Sequence, residues 1–152
     1  VVFILLAKIY DKSYSRKASA FEWEKKVNVY FINENESVRA NDCSLVSPLV
    51  RNILNAETLG PGALEALFKG PTKQKMDSGY VTSLNSGVLV KQFEVKNGVA
   101  YVDLNSKFNE KVAGACRVTA IRSQVERTLL ALPDIDQVVL SVEGKSDGIL
   151  EP

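Results

Sequence analysis

Histidine is absent from this chain of 152 residues. Without an imidazole, the chain cannot form the Ser-His-Asp and Cys-His arrangements that activate a nucleophile, and it lacks a ligand on which most zinc sites depend. Only two cysteines are present, Cys43 and Cys116, and their separation excludes a CxxC motif or a paired metal site. The sequence therefore predicts no enzyme of these classes, no metal site and no cofactor.

The two cysteines leave two interpretations open. They are either buried or indifferent thiols, or they form one disulfide that closes a long loop of the chain. The second interpretation requires an oxidising compartment, because thiols stay reduced in the cytosol.

Net charge is also nearly absent. The 19 basic and 18 acidic side chains give a formal charge of +1. This balance creates no strong field for nucleic acid or for an acidic substrate, so we expect no nucleic-acid partner. The apolar fraction of 45% and the charged fraction of 24% are typical of a globular domain, and the length suits one core.

The N-terminal segment is first apolar and then basic. The apolar run Val1–Ala7 is too short to cross a bilayer, which takes about twenty residues. Because the chain does not begin with methionine, we interpret the run as the trailing end of a signal segment or membrane anchor; a short strand or core-packing tail is the alternative. Residues 8–26 fit a solvated linker with a short helix around Ala18–Lys26, although basic residues after an apolar run also suit a cytoplasmic membrane face.

Two strands and a helix are predicted for the first half of the domain. Val27–Ile32 alternates β-branched and aromatic residues, and residues 33–37 have the composition of a turn. Leu45–Leu54 is a second strand, in which Pro48 favours the edge of a sheet because it has no backbone donor. A helix then begins near residues 58–61 and ends at Gly70-Pro71.

The second half contains a hairpin, a long helix and a last strand. After an ordered loop at 71–86, the strands Val88–Val95 and Val99–Leu104 are joined through Asn97-Gly98, which is a strong hairpin signal. The helix at 113–132 has an apolar stripe with helical spacing, and a strand follows at 138–142. The members of the stripe are Val118, Ile121, Val125, Thr128, Leu129 and Leu132.

The element order is therefore β-β-α-β-β-α-β. It lacks a regular βαβ repeat, so we expect the α+β class, with a mainly antiparallel sheet and both helices packed on one face. We divide the chain into the anchor and linker at 1–26, a globular domain at 27–145 and a polar C-terminal tail at 146–152.

Three stretches resemble the signature segments of one family, the GerMN (sporulation and spore germination) domains. They are residues 64–72 (LEALFKGPT), 97–106 (NGVAYVDLNS) and 124–132 (QVERTLLAL). Their order and spacing match the family from about Val27 to Gly144. Asn85 stands where the family usually has proline, and the two cysteines are not part of the pattern.

The resemblance implies a non-catalytic domain outside the cytoplasm. GerMN domains occur in lipoproteins and membrane-anchored proteins of the cell envelope, and in spore formers they contribute to the complex that joins mother cell and forespore. Their fold is similar to the ring-building motif of secretion systems. The resemblance further implies structural roles for the residues that match the family motifs, namely Leu67, Gly70, Pro71, Gly98, Tyr101, Val102, Asp103, Thr128 and Leu129.

Other motifs carry little functional signal. Gly144-Lys145-Ser146 lacks both the upstream glycine and the following helix of a phosphate-binding loop. The carboxylate pairs of the chain lie in turn or linker segments. We therefore interpret them as solvated surface residues rather than as acid–base or Ca²⁺ sites. We expect Asp103 to fix a turn at its strand end, and we expect Tyr101 and Phe31 to lie in the core.

We therefore expect an assembly or protein-interaction module of the bacterial envelope. Its partners would be other envelope or membrane proteins, or further copies of itself, with membrane proximity through the N-terminal segment. The alternative is a ligand-binding accessory domain that recognises a lipid or a cell-wall fragment.

Overall fold

The structure, a computed structural model, describes residues 24–54 and 58–151. The strands are β1 (Glu24–Asn33), β2 (Ser47–Leu54), β3 (Tyr80–Val81), β4 (Val90–Lys96), β5 (Val99–Leu104) and β6 (Gln137–Val142). The helices are α1 (Glu34–Ala40), α2 (Leu59–Phe68), α3 (Lys73–Met76) and α4 (Ala115–Leu130), with a 3-10 turn at Ser106–Phe108. The predicted α+β class is confirmed.

The first sheet has the strand order β2-β1-β3, and both of its pairings are antiparallel. Alternate residues of β1 are buried, because successive side chains of a strand point to opposite faces. These buried residues are Val27, Val29 and Phe31. Pro48 lies in β2, which is an edge strand of this sheet as its missing donor predicts.

The second sheet has the order β4-β5-β6. The predicted hairpin is confirmed: β4 and β5 are antiparallel, and Asn97 and Gly98 between them have φ angles of 50° and 79°, as a tight two-residue turn requires. Strand β6 pairs parallel to β5, because α4 carries the chain back before β6 begins.

One hydrophobic core joins the two sheets. Helices α2 and α4 both pack against β1 and against each other, and each also contacts the second sheet. Every member of the stripe predicted for the long helix is buried. Gly60 in the first turn of α2 lets the Phe93 ring approach closely, since a Cβ at this position would lie 2.1 Å from Phe93 Cζ.

The structure differs from the sequence-based expectations in several elements. Residues 34–40 form α1, although a turn was predicted for 33–37 and no element for 38–40. The helix buries none of its side chains, so it has no apolar stripe from which it could be predicted. The predicted loop at 71–86 contains α3 and β3. There are two sheets of three strands in the described ranges rather than one, because strand pairing depends on contacts between residues distant in sequence.

The structure also differs from the sequence-based expectations at both ends of the predicted domain. Strand β1 begins at Glu24 rather than at Val27, so the predicted helix around Ala18–Lys26 is wrong for 24–26, while its remainder lies outside the described residues. The apolar run Val1–Ala7 lies outside them as well. The C-terminal tail is not solvated throughout, because Leu150 is only 2% exposed and belongs to the core.

Candidate functional site

The outer face of the second sheet is formed by side chains that point away from the core: Gln92, Glu94, Tyr101, Asp103, Val139 and Ser141. Tyr101 and Val139 are directly paired across β5 and β6, and they are 45% and 41% exposed. The expectation that Tyr101 is a core residue is therefore wrong. Its neighbours Ala100 and Val102 are buried, so the alternation of the strand turns Tyr101 outward.

Asp103 holds the turn that follows β6. Its Oδ1 accepts hydrogen bonds from the Ser141 hydroxyl at 2.7 Å and from the Gly144 backbone N–H at 2.8 Å. The Ser141 bond and then the Gly144 bond lower the pKa of the Asp103 carboxyl, because both stabilise its charged form. This geometry ties β5 to the end of β6.

A second carboxylate links the same strand ends. Glu143 forms an ion pair with Lys91 of β4 and accepts a hydrogen bond from the Ser106 backbone N–H at 3.0 Å. The hydrogen bond from Lys91 is the main cause that lowers the pKa of Glu143. All of these groups are at the surface, so they position the loops around the outer face without forming an enclosed site.

An open groove of about 670 Å³ runs over the outer face and includes Tyr101, Asp103 and Val139. It has the mixed apolar and polar lining of an interaction surface. Among residues 24–54 and 58–151, no cluster of side chains has the composition to hold a metal ion.

The residues matched to the family motifs do not form one cluster. Leu67, Val102, Thr128 and Leu129 are buried in the core. Gly70 and Pro71 follow α2, where Gly70 has a φ of 77°, a left-handed conformation that glycine adopts without strain. Gly98 lies in the hairpin turn, and its carbonyl accepts hydrogen bonds from the backbone N–H groups of Asp136 and Gln137.

Two buried polar side chains of α4 form hydrogen bonds with the backbone of Tyr30 in β1. The register of β1 with β3 pairs Ile32 with Val81 and would next place Tyr30 opposite Ser83. At that point the Gln124 carboxamide lies between the two segments: it accepts from the Ser83 N–H at 2.9 Å and donates to the Tyr30 carbonyl at 3.4 Å. Thr128 Oγ1 accepts from the Tyr30 N–H at 3.0 Å.

Thr128 is a member of the predicted buried stripe, but the hydrogen bonds of Thr128 and Gln124 to the backbone were not predicted from the sequence. Both side chains are fully buried. The available signal was two polar residues four positions apart on an otherwise apolar helix face, where buried polar groups need partners.

Cys43 and Cys116 are joined by a disulfide, with their Cα atoms 5.2 Å apart. The bond connects the loop after α1 to the first turn of α4, across a sequence separation of 73. It fixes one end of α4 relative to the first sheet.

A family model described as "Germane: Sporulation and spore germination" matches residues 28–148. The chain belongs to this GerMN family. Among curated proteins, no sequence matches it. None of the helices in the described ranges is long and apolar enough to span a bilayer.

Solved structures that are similar to this GerMN domain include two from one sporulation protein. The tandem GerMN domains of the sporulation protein GerM from Bacillus subtilis are 25% identical, with a TM-score of 0.65, over 81% of this chain and 40% of that one. The first GerMN domain of the same protein is 22% identical, with a TM-score of 0.62, over 80% and 85% of the two chains. The present chain thus spans less than half of the tandem structure.

Proposed function

We propose that this domain is a non-catalytic assembly module of the bacterial cell envelope, acting through the outer face of its second sheet. Membership of a sporulation and spore germination family supports a role in a protein complex of sporulation or germination. The observation that carries the proposal is the exposed pair Tyr101 and Val139 at the centre of this face. Aromatic residues with apolar neighbours and a polar rim are typical of the residues that dominate protein interfaces.

The proposed location is outside the cytoplasm. The disulfide between Cys43 and Cys116 supports it, because such bonds persist in oxidising compartments. Partners are other envelope proteins or further copies of the domain. A head-to-tail contact between copies would produce a ring or a filament, whereas a two-fold contact would produce a closed dimer.

Site-specific photo-crosslinking tests the proposal. A photo-reactive residue at position 101 or 139 of the full-length protein in cells should form a discrete crosslinked species, and Tyr101→Ala should weaken crosslinking from 139. The control position is Val38, which is 79% exposed and lies on α1, a helix that contacts β1 of the first sheet. Absence of a specific product at 101 and 139, or the same products from 38, would contradict the proposal.

The alternative role is recognition of a lipid or a cell-wall fragment. One observation favours it separately, since a second groove lies between β2 and α2 and contains a partly buried arginine.

A further inference from the structure

Strand β6 lies at one edge of the second sheet, next to β5. Its backbone groups alternate in direction along the strand. The Gln137 N–H donates a hydrogen bond to the Gly98 carbonyl, just before β5. Two turns of this alternation later, beyond the end of β6, the Glu143 N–H donates to the Leu104 carbonyl. The odd-numbered residues of β6 therefore face β5, and the even-numbered residues direct their N–H and C=O groups away from the sheet.

The outward groups of β6 are used at one end of the strand. The Val142 N–H donates to the Lys145 carbonyl at 2.8 Å, and the Lys145 N–H donates to the Val142 carbonyl at 3.0 Å. At Val138 and Leu140, by contrast, the N–H and C=O groups have no hydrogen-bond partner among residues 24–54 and 58–151. Two donors and two acceptors are thus open in the middle of an edge strand, which is an arrangement that pairs with another strand.

The other edge strands of the described ranges carry features that discourage such pairing. Strand β2 contains Pro48 and Arg51, and β3 has only two residues. Strand β4 has several charged side chains and a register shift at Lys91. Proline, charge, shortness and irregular register all protect an edge from another chain. Strand β6, with the sequence QVVLSV, has none of these features, so its edge is suited to pairing.

An antiparallel pairing of two β6 strands about a two-fold axis at Val139 satisfies all of the open groups. In this register Val138 lies opposite Leu140 of the second copy, and the two residues exchange both of their N–H···O bonds. The symmetric contact repeats the exchange, so two copies with two donors each form four hydrogen bonds. An axis at Leu140 would instead place Val138 opposite Val142, whose groups are already bonded to Lys145.

The same axis brings exposed apolar side chains together. Val139 lies opposite Val139 of the second copy in a non-hydrogen-bonded pair, the kind in which facing side chains are closest. Val139 is 41% exposed and is paired across β5 and β6 with Tyr101, which is 45% exposed. The pairing therefore continues this apolar row through the axis, from Tyr101 of one copy to Tyr101 of the other.

Charges at the two ends of the pairing are complementary. Because Lys145 is paired with Val142 on the open side of β6, the strand of the second copy begins next to Lys145. That strand is preceded by Asp134 and Asp136, which are exposed. Within the part of the chain that the structure describes, neither Lys145 nor these carboxylates form a salt bridge, so they are available to pair between copies.

We propose that two copies of this domain pair through β6, antiparallel and about a two-fold axis at Val139, to form one continuous sheet. The sheet has the order β4-β5-β6 in one copy, followed by β6-β5-β4 of the second copy. This inference rests on the proposed assembly role and deepens it, because it names the partner as a second copy. A two-fold contact of this kind closes on itself and gives a dimer.

Sedimentation of the 152-residue chain over a concentration series from the micromolar to the millimolar range measures the dimer. The informative variant is Val138→Pro, which removes an outward N–H group. The pairing with β5 uses the N–H groups of residues 137, 139 and 141, so it stays intact, as for a proline on an edge strand. We expect Val138→Pro to weaken dimerisation about tenfold or more, since it removes two of the four hydrogen bonds between copies.

Val95→Pro is the matched control at the opposite edge of the same sheet. Val95 and Val138 both lie opposite Ala100, one on each side of β5. Val95 also directs its N–H away from the sheet, because the two-residue turn makes its neighbour Lys96 a hydrogen-bonded partner of β5. This control should leave the dissociation constant unchanged. The inference is overturned if the original chain stays monomeric throughout the series, or if the two proline variants dimerise equally well.

A cysteine at the axis provides a second test that does not depend on proline. Val139→Cys should form a disulfide between copies, because facing residues of a non-hydrogen-bonded pair have Cα atoms about 4.5 Å apart, within the range of a disulfide. Tyr101→Cys introduces a thiol at a similarly exposed position, one strand further from the axis, and should not be linked. Equal linking of the two variants would overturn strand pairing in favour of a contact between outer faces.

Photo-crosslinking in cells separates this inference from the proposed function. Products from position 139 that join two copies and disappear in Val138→Pro would support both. A chain that is monomeric in sedimentation but still crosslinks from position 101 to another envelope protein would overturn the pairing through β6 and leave the assembly role of the outer face supported.

Discussion

At the scale of single residues, Gln124 and Thr128 take the place of a neighbouring strand. Strand β3 pairs with only two residues of β1, after which the two segments diverge. The Gln124 carboxamide offers one donor and one acceptor, as a peptide group does, and Thr128 supplies a further acceptor. Polar residues on a buried helix face are tolerated here because they satisfy backbone groups that would otherwise be unpaired.

We predict that Thr128→Val lowers the free energy of unfolding by about 1–3 kcal/mol, because it leaves the Tyr30 N–H buried without an acceptor while the side-chain shape is kept. Urea denaturation at neutral pH measures the change. Thr119→Val on the exposed side of the same helix is the matched control and should have little effect. Equal effects of the two substitutions would argue against the assigned hydrogen bond.

Asp103 should make stability depend on pH in the acid range. Its folded-state pKa lies below the ordinary value, so its contribution to stability is complete above the unfolded-state pKa of about 3.9 and is lost as the pH falls through the folded-state pKa. Asp103→Asn should therefore reduce the loss of stability between pH 5 and pH 2, values in the range where such carboxylates titrate. Urea denaturation across this range provides the measurement.

The control for Asp103→Asn is Asp147→Asn, which changes an exposed aspartate of the C-terminal tail. An unchanged pH profile in Asp103→Asn, or the same change in both variants, would remove Asp103 from the account of acid stability.

At the scale of elements, the start of α2 fits against β4 through one glycine. Alanine has the higher helix propensity, by about 1 kcal/mol, which would favour Gly60→Ala in an isolated helix. The contact with Phe93 opposes this gain, since a methyl group at position 60 would overlap the ring, and ring carbons cannot move aside as the end of a flexible side chain can. Overpacking of this kind costs about 1–3 kcal/mol.

We therefore predict that Gly60→Ala destabilises the domain on balance. In a Phe93→Ala background the same substitution should become neutral or stabilising, because the overlap is gone and the helix propensity remains. A double-mutant cycle measured by thermal or urea unfolding gives the coupling free energy between positions 60 and 93. Additive effects would show that the ring and the helix start are independent.

The elements that could be predicted from the sequence are those with local signals. The β4–β5 hairpin follows from Asn97-Gly98, and α4 follows from apolar residues at helical spacing. Helix α1 has no such spacing: its first turn is acidic, Arg39 is in its last turn, and all its side chains lie outside the core. Strand β3 has only two residues, too few for a recognisable alternation.

Prediction of the candidate sites was less complete. The inward positions of β5 at 100, 102 and 104 imply that Tyr101 points outward, and this signal was available in the alternation of the strand. The groove at Arg51 depends on how β2 and α2 approach each other, and the division into two sheets depends on which distant strands pair. Neither arrangement is encoded in a local pattern of residues.

At the scale of the whole molecule, the disulfide ties the two halves of the chain together. Cys43 precedes β2, whereas Cys116 lies in the helix that leads to β6. A bond across a sequence separation of 73 restricts the unfolded chain, which on the chain-entropy model contributes about 4 kcal/mol.

We predict that the oxidised chain unfolds at higher urea concentration than the double variant Cys43→Ser/Cys116→Ser, and that reductant abolishes the difference. Mass spectrometry after alkylation, with and without reductant, establishes whether the bond is present in material isolated from cells. Two freely alkylated thiols in that material would remove both the predicted stabilisation and the support for an oxidising location.

The side chains that α4 inserts beside β1 also have a consequence for solubility. Open backbone groups at the border of a sheet can recruit another polypeptide as an added strand, which is a route to domain swapping and fibril growth. Gln124 and Thr128 occupy the groups of Tyr30, so no foreign strand can be templated at that point. The helix therefore protects the first position of β1 beyond the short pairing with β3 from recruiting another chain.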